Sequence, residues 1–284
     1  MIASRTIASG FAYPEGPRWH EGKLWFADQH DETVHILSPD GGRVGAFHVE
    51  GGPSGLGWLA GGDLLVVCME GRKVLRRDAE GVLSVHAHLK RFHRYLTNEM
   101  VVDRQGRAYV GNIGFDFEAG EQVKPTVLVM VEADGAARVV ADDLLCPNGT
   151  VITPDGRTLI IAESLANRLT AFTVAEDGSL SDRRVFADIP GHVPDGICLD
   201  AESCVWAASP FTNSCIRVGE GGRIIETVTV DGAGAFACML GGEDGRTLYI
   251  CAAAPSMRPD TVKERGGRID VARVAVPAAA MARP

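Results

Sequence analysis

The stretch NGTVITPDGRTLIIAES, residues 148–164, opens on an Asn-Gly pair and runs into a β-branched strand. It turns through Pro-Asp-Gly and returns as a second strand ending at Glu163 and Ser164. Two such runs around a turn of this chemistry spell a hairpin. Related phrases occur at five other places: EGPRWHEGKLWFADQ from Glu15, SGLGWLAGGDLLVVCME from Ser54, NEMVVDRQGRAYVGN from Asn98, DGICLDAESCVWAAS from Asp195 and FACMLGGEDGRTLYICAA from Phe236. Their first residues are separated by 39, 44, 50, 47 and 41 positions. Self-similarity at this period, with two strands plain in each copy, implies the blades of a propeller.

The rest of each period supplies two further strands, for example TVHILSPDGG and RVGAFHV after the first phrase. The fold class expected is therefore all-β, a six-bladed β-propeller occupying residues 1–284 as a single domain. Its inner strands should begin near residues 16, 55, 99, 149, 196 and 237. Closure requires that no seam be left open. The N-terminal SRTIASGFAY should supply the outer strand of the last blade, beside GGRIDVARVAV near the C-terminus.

Composition agrees with a compact chain: 45% of the residues are apolar, 23% are charged, and 34 are glycines gathered largely in turns. The formal net charge is -9, without a basic run that could follow a phosphate backbone, so nucleic acid is excluded as a partner. No apolar stretch is long enough for a spanning helix, and residues 1–12 do not read as a secretory signal, so no membrane partner is expected. The seven cysteines include no CxxC pair and several lie in apolar runs. Free thiols in a reducing, cytoplasmic setting are the expectation. GxSxG, HExxH and P-loop motifs are absent, which removes serine-elbow, zincin and nucleotide chemistry.

The residues that open the six phrases are Glu15, Ser54, Asn98, Asn148, Asp195 and Phe236. In a propeller they take equivalent places at one mouth of the central channel. A single Glu or Asn at a strand start ordinarily bonds nearby backbone N–H groups. Four carboxylates and carboxamides in matched register are different, because rotational symmetry turns them toward a common axis. Glu15, Asn98, Asn148 and Asp195 would form an all-oxygen set suited to calcium, magnesium or manganese, with zinc also accommodated.

At this point the sequence resembles the senescence marker protein, gluconolactonase and luciferin-regenerating enzyme family over nearly its full length. The resemblance rests on YPEGPRW from Tyr13, NEMVVDRQGRAYVGN from Asn98, PNGTVITPDGRTLIIAES from Pro147, PDGICLDAESCVWAA from Pro194 and GGEDGRTLYICAA from Gly241. It implies a six-bladed propeller with one divalent metal ion at the channel mouth. By motif, Glu15, Asn148 and Asp195 correspond to the metal ligands, and Asn98 to an asparagine that reaches toward metal and substrate. Characterised members are mainly lactonases, with Ca, Zn, Mg or Mn as the supporting ion. Sugar-lactone members commonly carry an arginine two positions before that asparagine; here the position is Leu96, which offers no hydrogen bond. Gluconolactone itself is thereby disfavoured. Glu99 stands where aspartate is common.

Antiparallel geometry places the residues ending each second strand around the same mouth. They include Asp28 and His30, Met69 and Glu70, Asn112 and Phe115, Glu163, Phe211, and Pro255, Met257 and Arg258. Candidate substrate contacts are His30 for a carbonyl or leaving oxygen, His192 beside Asp195, Phe115 and Phe211 as apolar walls, and Arg258 for a carboxylate. His86 and His88 share a strand face without a third ligand. The reaction expected is hydrolysis of a small-molecule lactone to its hydroxy acid, with Asp195 as general base and Asn98 assisting. An aryl ester or organophosphate could use the same metal site. A non-catalytic calcium- or protein-binding propeller would melt in a metal-dependent way yet hydrolyse no ester.

Overall fold

A computed structural model describes residues 1–254 and 258–279. Six sheets are arranged as a ring, a six-bladed β-propeller. Blade one consists of Pro14–His20, Lys23–Asp28, Thr33–Leu37 and Arg43–His48, from the axis outward. Blade two follows with Pro53–Trp58, Leu64–Cys68, Lys73–Arg77 and Leu83–His88. Blade three holds Thr97–Val102, Ala108–Asn112, Thr126–Val131 and Ala137–Leu144. Blade four holds Pro147–Ile152, Thr158–Glu163, Arg168–Val174 and Leu180–Asp188. Blade five is Ile197–Leu199, Val205–Ser209, Ser214–Val218 and Ile224–Thr229. Blade six takes Gly234–Gly241, Thr247–Ala253 and Gly267–Arg273. Each innermost strand touches the next, and the last touches the first.

The expected closure is present. Arg5–Phe11 pairs antiparallel with Gly267–Arg273, with Arg5 opposite Val271 and Phe11 opposite Gly267. Asp270 fastens the seam by accepting from Thr6 Oγ1 at 2.7 Å and from Ser4 Oγ at 3.2 Å. A second tie was not expected from the sequence: Ile2–Ala3 lies parallel against the outer strand of blade five. One stretch of about ten residues thus joins two blades.

Packing lies between blades rather than at one centre. Six apolar clusters each join neighbouring blades, such as Val34, Leu56, Val66 and Leu75 between one and two, or Trp206, Val228, Leu248 and Ile250 between five and six. Six of the cysteines are buried, Cys146 is half-buried, and all seven are free thiols, serving as small apolar side chains.

Several glycines of the repeated phrase have a role beyond turns. A Cβ on Gly149 would meet Asp195 O and Ile197 N of the next blade at 2.5 Å, and one on Gly196 would meet Ala237 Cβ at 2.4 Å. Here the inner backbones approach so closely that they hydrogen-bond around the ring: Gly149 N–H donates to Asp195 O at 3.2 Å and Gly196 N–H to Phe236 O at 2.8 Å.

Candidate active site at the channel mouth

The inner strands begin at Pro14, Pro53, Thr97, Pro147, Ile197 and Gly234, so most start two or three residues earlier than the phrases imply. The difference comes from a register break repeated at the same place. Pairing skips from Glu15 to Arg18, from Pro53 to Leu56, from Thr97 to Met100, from Pro147 to Thr150 and from Ala235 to Ala237. The skipped residues include Ser54, Asn98, Asn148 and Phe236, each the opening residue of its phrase. Such bulges re-aim side chains at sheet rims. In blade five the backbone N–H of Asp195 donates to Ala208 O at 2.9 Å just before the strand begins.

Hydrogen bonds and charge link these positions. Gln29 Nε2 donates to Ser54 Oγ at 3.1 Å, and Ser54 Oγ donates to Asn98 Oδ1 at 3.3 Å, crossing three blades. Asn148 Nδ2 donates to Ser164 Oγ at 3.2 Å and Ser164 to Pro194 O at 2.7 Å. The Tyr13 ring lies 4.7 Å from that of Phe236 and stacks on His30 at 4.4 Å.

Glu15 and Glu99 are buried and Asp195 is half-buried. Burial, then the neighbouring Glu99 carboxylate, pushes Asp195 up to about 8, while a hydrogen bond from Asn148 works in the opposite direction. Burial, then Asp195 and Glu99, raises Glu15 well above the usual carboxylate range. Burial, then Asp195 and Glu15, raises the Tyr13 phenol. One cation answers them directly: Arg18 Nη2 donates to Glu99 Oε2 at 2.8 Å and to Met100 O at 2.5 Å. Glu99 Oε1 is buried without a hydrogen-bond partner. Three carboxylates facing one guanidinium leave a formal excess of negative charge in a low-dielectric place. The donor chemistry at the mouth therefore fits a divalent cation held by oxygen.

A second group was not selected from the sequence. Asp28, Asp31 and His35 form the one group of three or more His, Cys, Asp or Glu side chains, among the described residues, whose ligand atoms lie within 4.8 Å of one another. This trio could coordinate a divalent metal. Its donors also have other duties: Asp28 accepts from Ala12 N and Tyr13 N at 2.8 and 2.7 Å, and Asp31 forms an ion pair with Arg265 at 2.6 Å. His35 Nε2 is buried without a hydrogen bond, 3.9 Å from Asp28 Oδ2, between the Phe11 and Phe26 rings. Nothing in the spacing of these residues distinguishes them from ordinary strand and turn positions.

The other expected residues have contacts of their own. His30 Nδ1 lies 2.6 Å from Thr261 Oγ1, and burial, with Arg258 nearby, depresses its pKa to about 4. His192 Nδ1 is 3.2 Å from Thr212 Oγ1, and burial lowers its pKa. Phe115 is buried, whereas Phe211 is 73% exposed on the short 3-10 turn Pro210–Thr212. Arg258 pairs with Glu32 and Glu70, both at 2.8 Å. Leu96 packs against the cluster joining blades two and three. Asn112 and Glu163 are used within their blades: Asn112 bonds Val127 O and Thr126, and Glu163 bonds Arg168, Thr170 and Leu145 N. Pro255 and Met257 lie outside the described residues. Arg18 had no sequence signal, because its partner Glu99 is 81 positions away.

Residues 13–254 match the SMP-30/Gluconolactonase/LRE-like region. A 6-deoxy-6-sulfogluconolactonase from Pseudomonas putida is 27% identical over 94% of this chain and 92% of its own length. Regucalcin from Xenopus laevis is 24% identical over 91% and 89%. Among solved structures, a calcium-binding protein, regucalcin, from Agrobacterium tumefaciens superposes with a TM-score of 0.81 at 22% identity, covering 98% of this chain and 95% of the other. A luciferin-regenerating enzyme gives 0.80 at 18% identity, over 95% and 94%. The chain belongs to the SMP-30/gluconolactonase/LRE-like family.

Proposed function

We propose that this family member is a divalent-metal-dependent hydrolase that opens a small lactone to its hydroxy acid. The observation that carries the reading is the gathering of the Glu15, Glu99 and Asp195 carboxylates, whose burial and proximity raise Glu15 and Asp195, with Arg18 paired to Glu99 alone. Glu15, Asn148 and Asp195 would hold the ion, which when bound supplies a Lewis acid for the ester carbonyl and acidifies a water.

The chain's own groups do the rest. Asp195 receives the proton of the attacking water through its carboxylate, as a general base in hydrogen-bond reach must. Asn148, through its hydrogen bond, favours the ionised form of Asp195. Asn98 has its carbonyl engaged by Ser54, which leaves its amide N–H groups for the substrate. Glu15 anchors and balances charge. Leu96 offers contact without a donor, and the two nearby arginines considered as replacements for the missing one are committed: Arg94 to Glu121 at 2.9 Å, Arg258 to Glu32 and Glu70.

The lactone class is supported by the Pseudomonas putida relative, whose name specifies a lactonase. A pH-indicator assay over a panel of lactones and aryl esters, after chelation and readdition of single ions, tests the proposal. Metal-restored acid release from lactones is expected. Metal-dependent melting without hydrolysis of any ester would refute catalysis.

A further inference from the structure

Next to Leu96 is a cavity of about 360 Å³ lined by Glu70, Arg72, Arg94, Tyr95, Leu96 and Glu118. Two of its charges are already answered: Glu70 pairs with Arg258 at 2.8 Å and Arg94 with Glu121 at 2.9 Å. Arg72 is not among them. Its Nη1 donates to the carbonyl oxygens of Arg94 at 3.0 Å and His93 at 3.4 Å, and no carboxylate among the described residues pairs with it. A guanidinium fixed on one edge by carbonyls keeps its other N–H groups for a planar oxyanion.

We infer that this cavity is a subsite for the anionic end of the substrate. The inference rests on the lactonase reading and names its substrate class: a lactone ring at Asn98 bearing an apolar arm that ends in a carboxylate or sulfonate. The arm passes Leu96 and Tyr95, which offer apolar surface, and its oxyanion meets Arg72 in charge-assisted hydrogen bonds. Leucine at position 96 then has a positive purpose, since an arginine there would compete with Arg72 for the same anion. Glu70 and Glu118 line the cavity too; Glu70 is held by Arg258, and neither forms an ion pair with Arg72 among the described residues.

The test uses ligands that cannot be hydrolysed, so it does not depend on turnover. Hexanoate, hexanesulfonate and the neutral hexanamide are titrated into the full chain by NMR. At least one anion should bind tenfold or more tightly than hexanamide, identifying the preferred head group. Arg72→Met should abolish that preference, while Arg72→Lys, which keeps the charge but not the fork, should retain part of it. In steady-state assays Arg72→Met should raise KM tenfold or more for a carboxypropyl-substituted lactone and leave KM for the propyl analogue unchanged. Equal binding of anions and amide overturns the inference. So does an Arg72→Met change that affects both lactones alike, which would mean that Arg72 only holds the His93–Arg94 backbone. Anion selectivity without hydrolysis of any lactone would leave the subsite standing and remove the lactonase reading.

Discussion

Leu96 and His93 lie three positions apart in the lead-in to blade three, and each ties a measurable property to one side chain. At Leu96 a sugar hydroxyl would be buried without a partner, at a cost of about 1–3 kcal/mol, or roughly ten- to hundredfold in kcat/KM. Leu96→Arg should therefore raise kcat/KM for gluconolactone relative to an alkyl lactone of the same ring size. A wild type that already prefers gluconolactone tenfold would contradict this account of the pocket. His93 is fully buried, with Nδ1 2.8 Å from Thr97 Oγ1 and Nε2 unpartnered; burial, then Arg72, depresses its pKa to about 3. The unfolded chain binds this proton near pH 6.5 and the folded chain does not. Stability from this group is thus intact above pH 6.5 and is lost as pH falls, by about 2–3 kcal/mol at pH 4.5. The drop in Tm between pH 7 and 4.5 should be smaller in His93→Gln than in wild type; an equal drop would show that other groups govern acid unfolding. Leu96 could be singled out from sequence because a motif surrounds it. Arg18 could not, since its role exists only where blades one and three meet.

For the individual strands, the phrase beginning with Asn148 was legible as a hairpin, but the bulge inside it was not. A register break is a property of two paired strands, and no residue type marks it. The same holds for the glycine after Asn148, which reads locally as a turn residue and proves to be a contact between inner strands. Gly149→Ala should shift the Asp195 backbone, costing about 1–3 kcal/mol by overpacking and weakening metal binding with it. Gly61 has open space around the position of a Cβ and makes the control. Comparable Tm and ion affinity in Gly149→Ala, Gly61→Ala and wild type would mean that the ring backbone yields easily and does not fix the site.

Across the whole molecule, the repeat predicted the blade number and the N-terminal strand in blade six. It did not predict the parallel bridge of Ile2–Ala3 to blade five, because two residues carry no periodicity. Closure matters for function because it holds five bulges and the start of the blade-five inner strand in one ring, and the candidate ligands come from blades one, four and five. No helix among the described residues is long and apolar enough to cross a membrane. We propose that the oxygens of Glu15, Asn148 and Asp195, rather than the Asp28, Asp31 and His35 trio, bind the ion used in catalysis. Calorimetric titration of a divalent ion into chelator-treated wild type, Asp195→Asn and Asp31→Asn separates the two sites. Binding should fall sharply in Asp195→Asn and persist in Asp31→Asn; loss in Asp31→Asn with retention in Asp195→Asn would contradict the proposal.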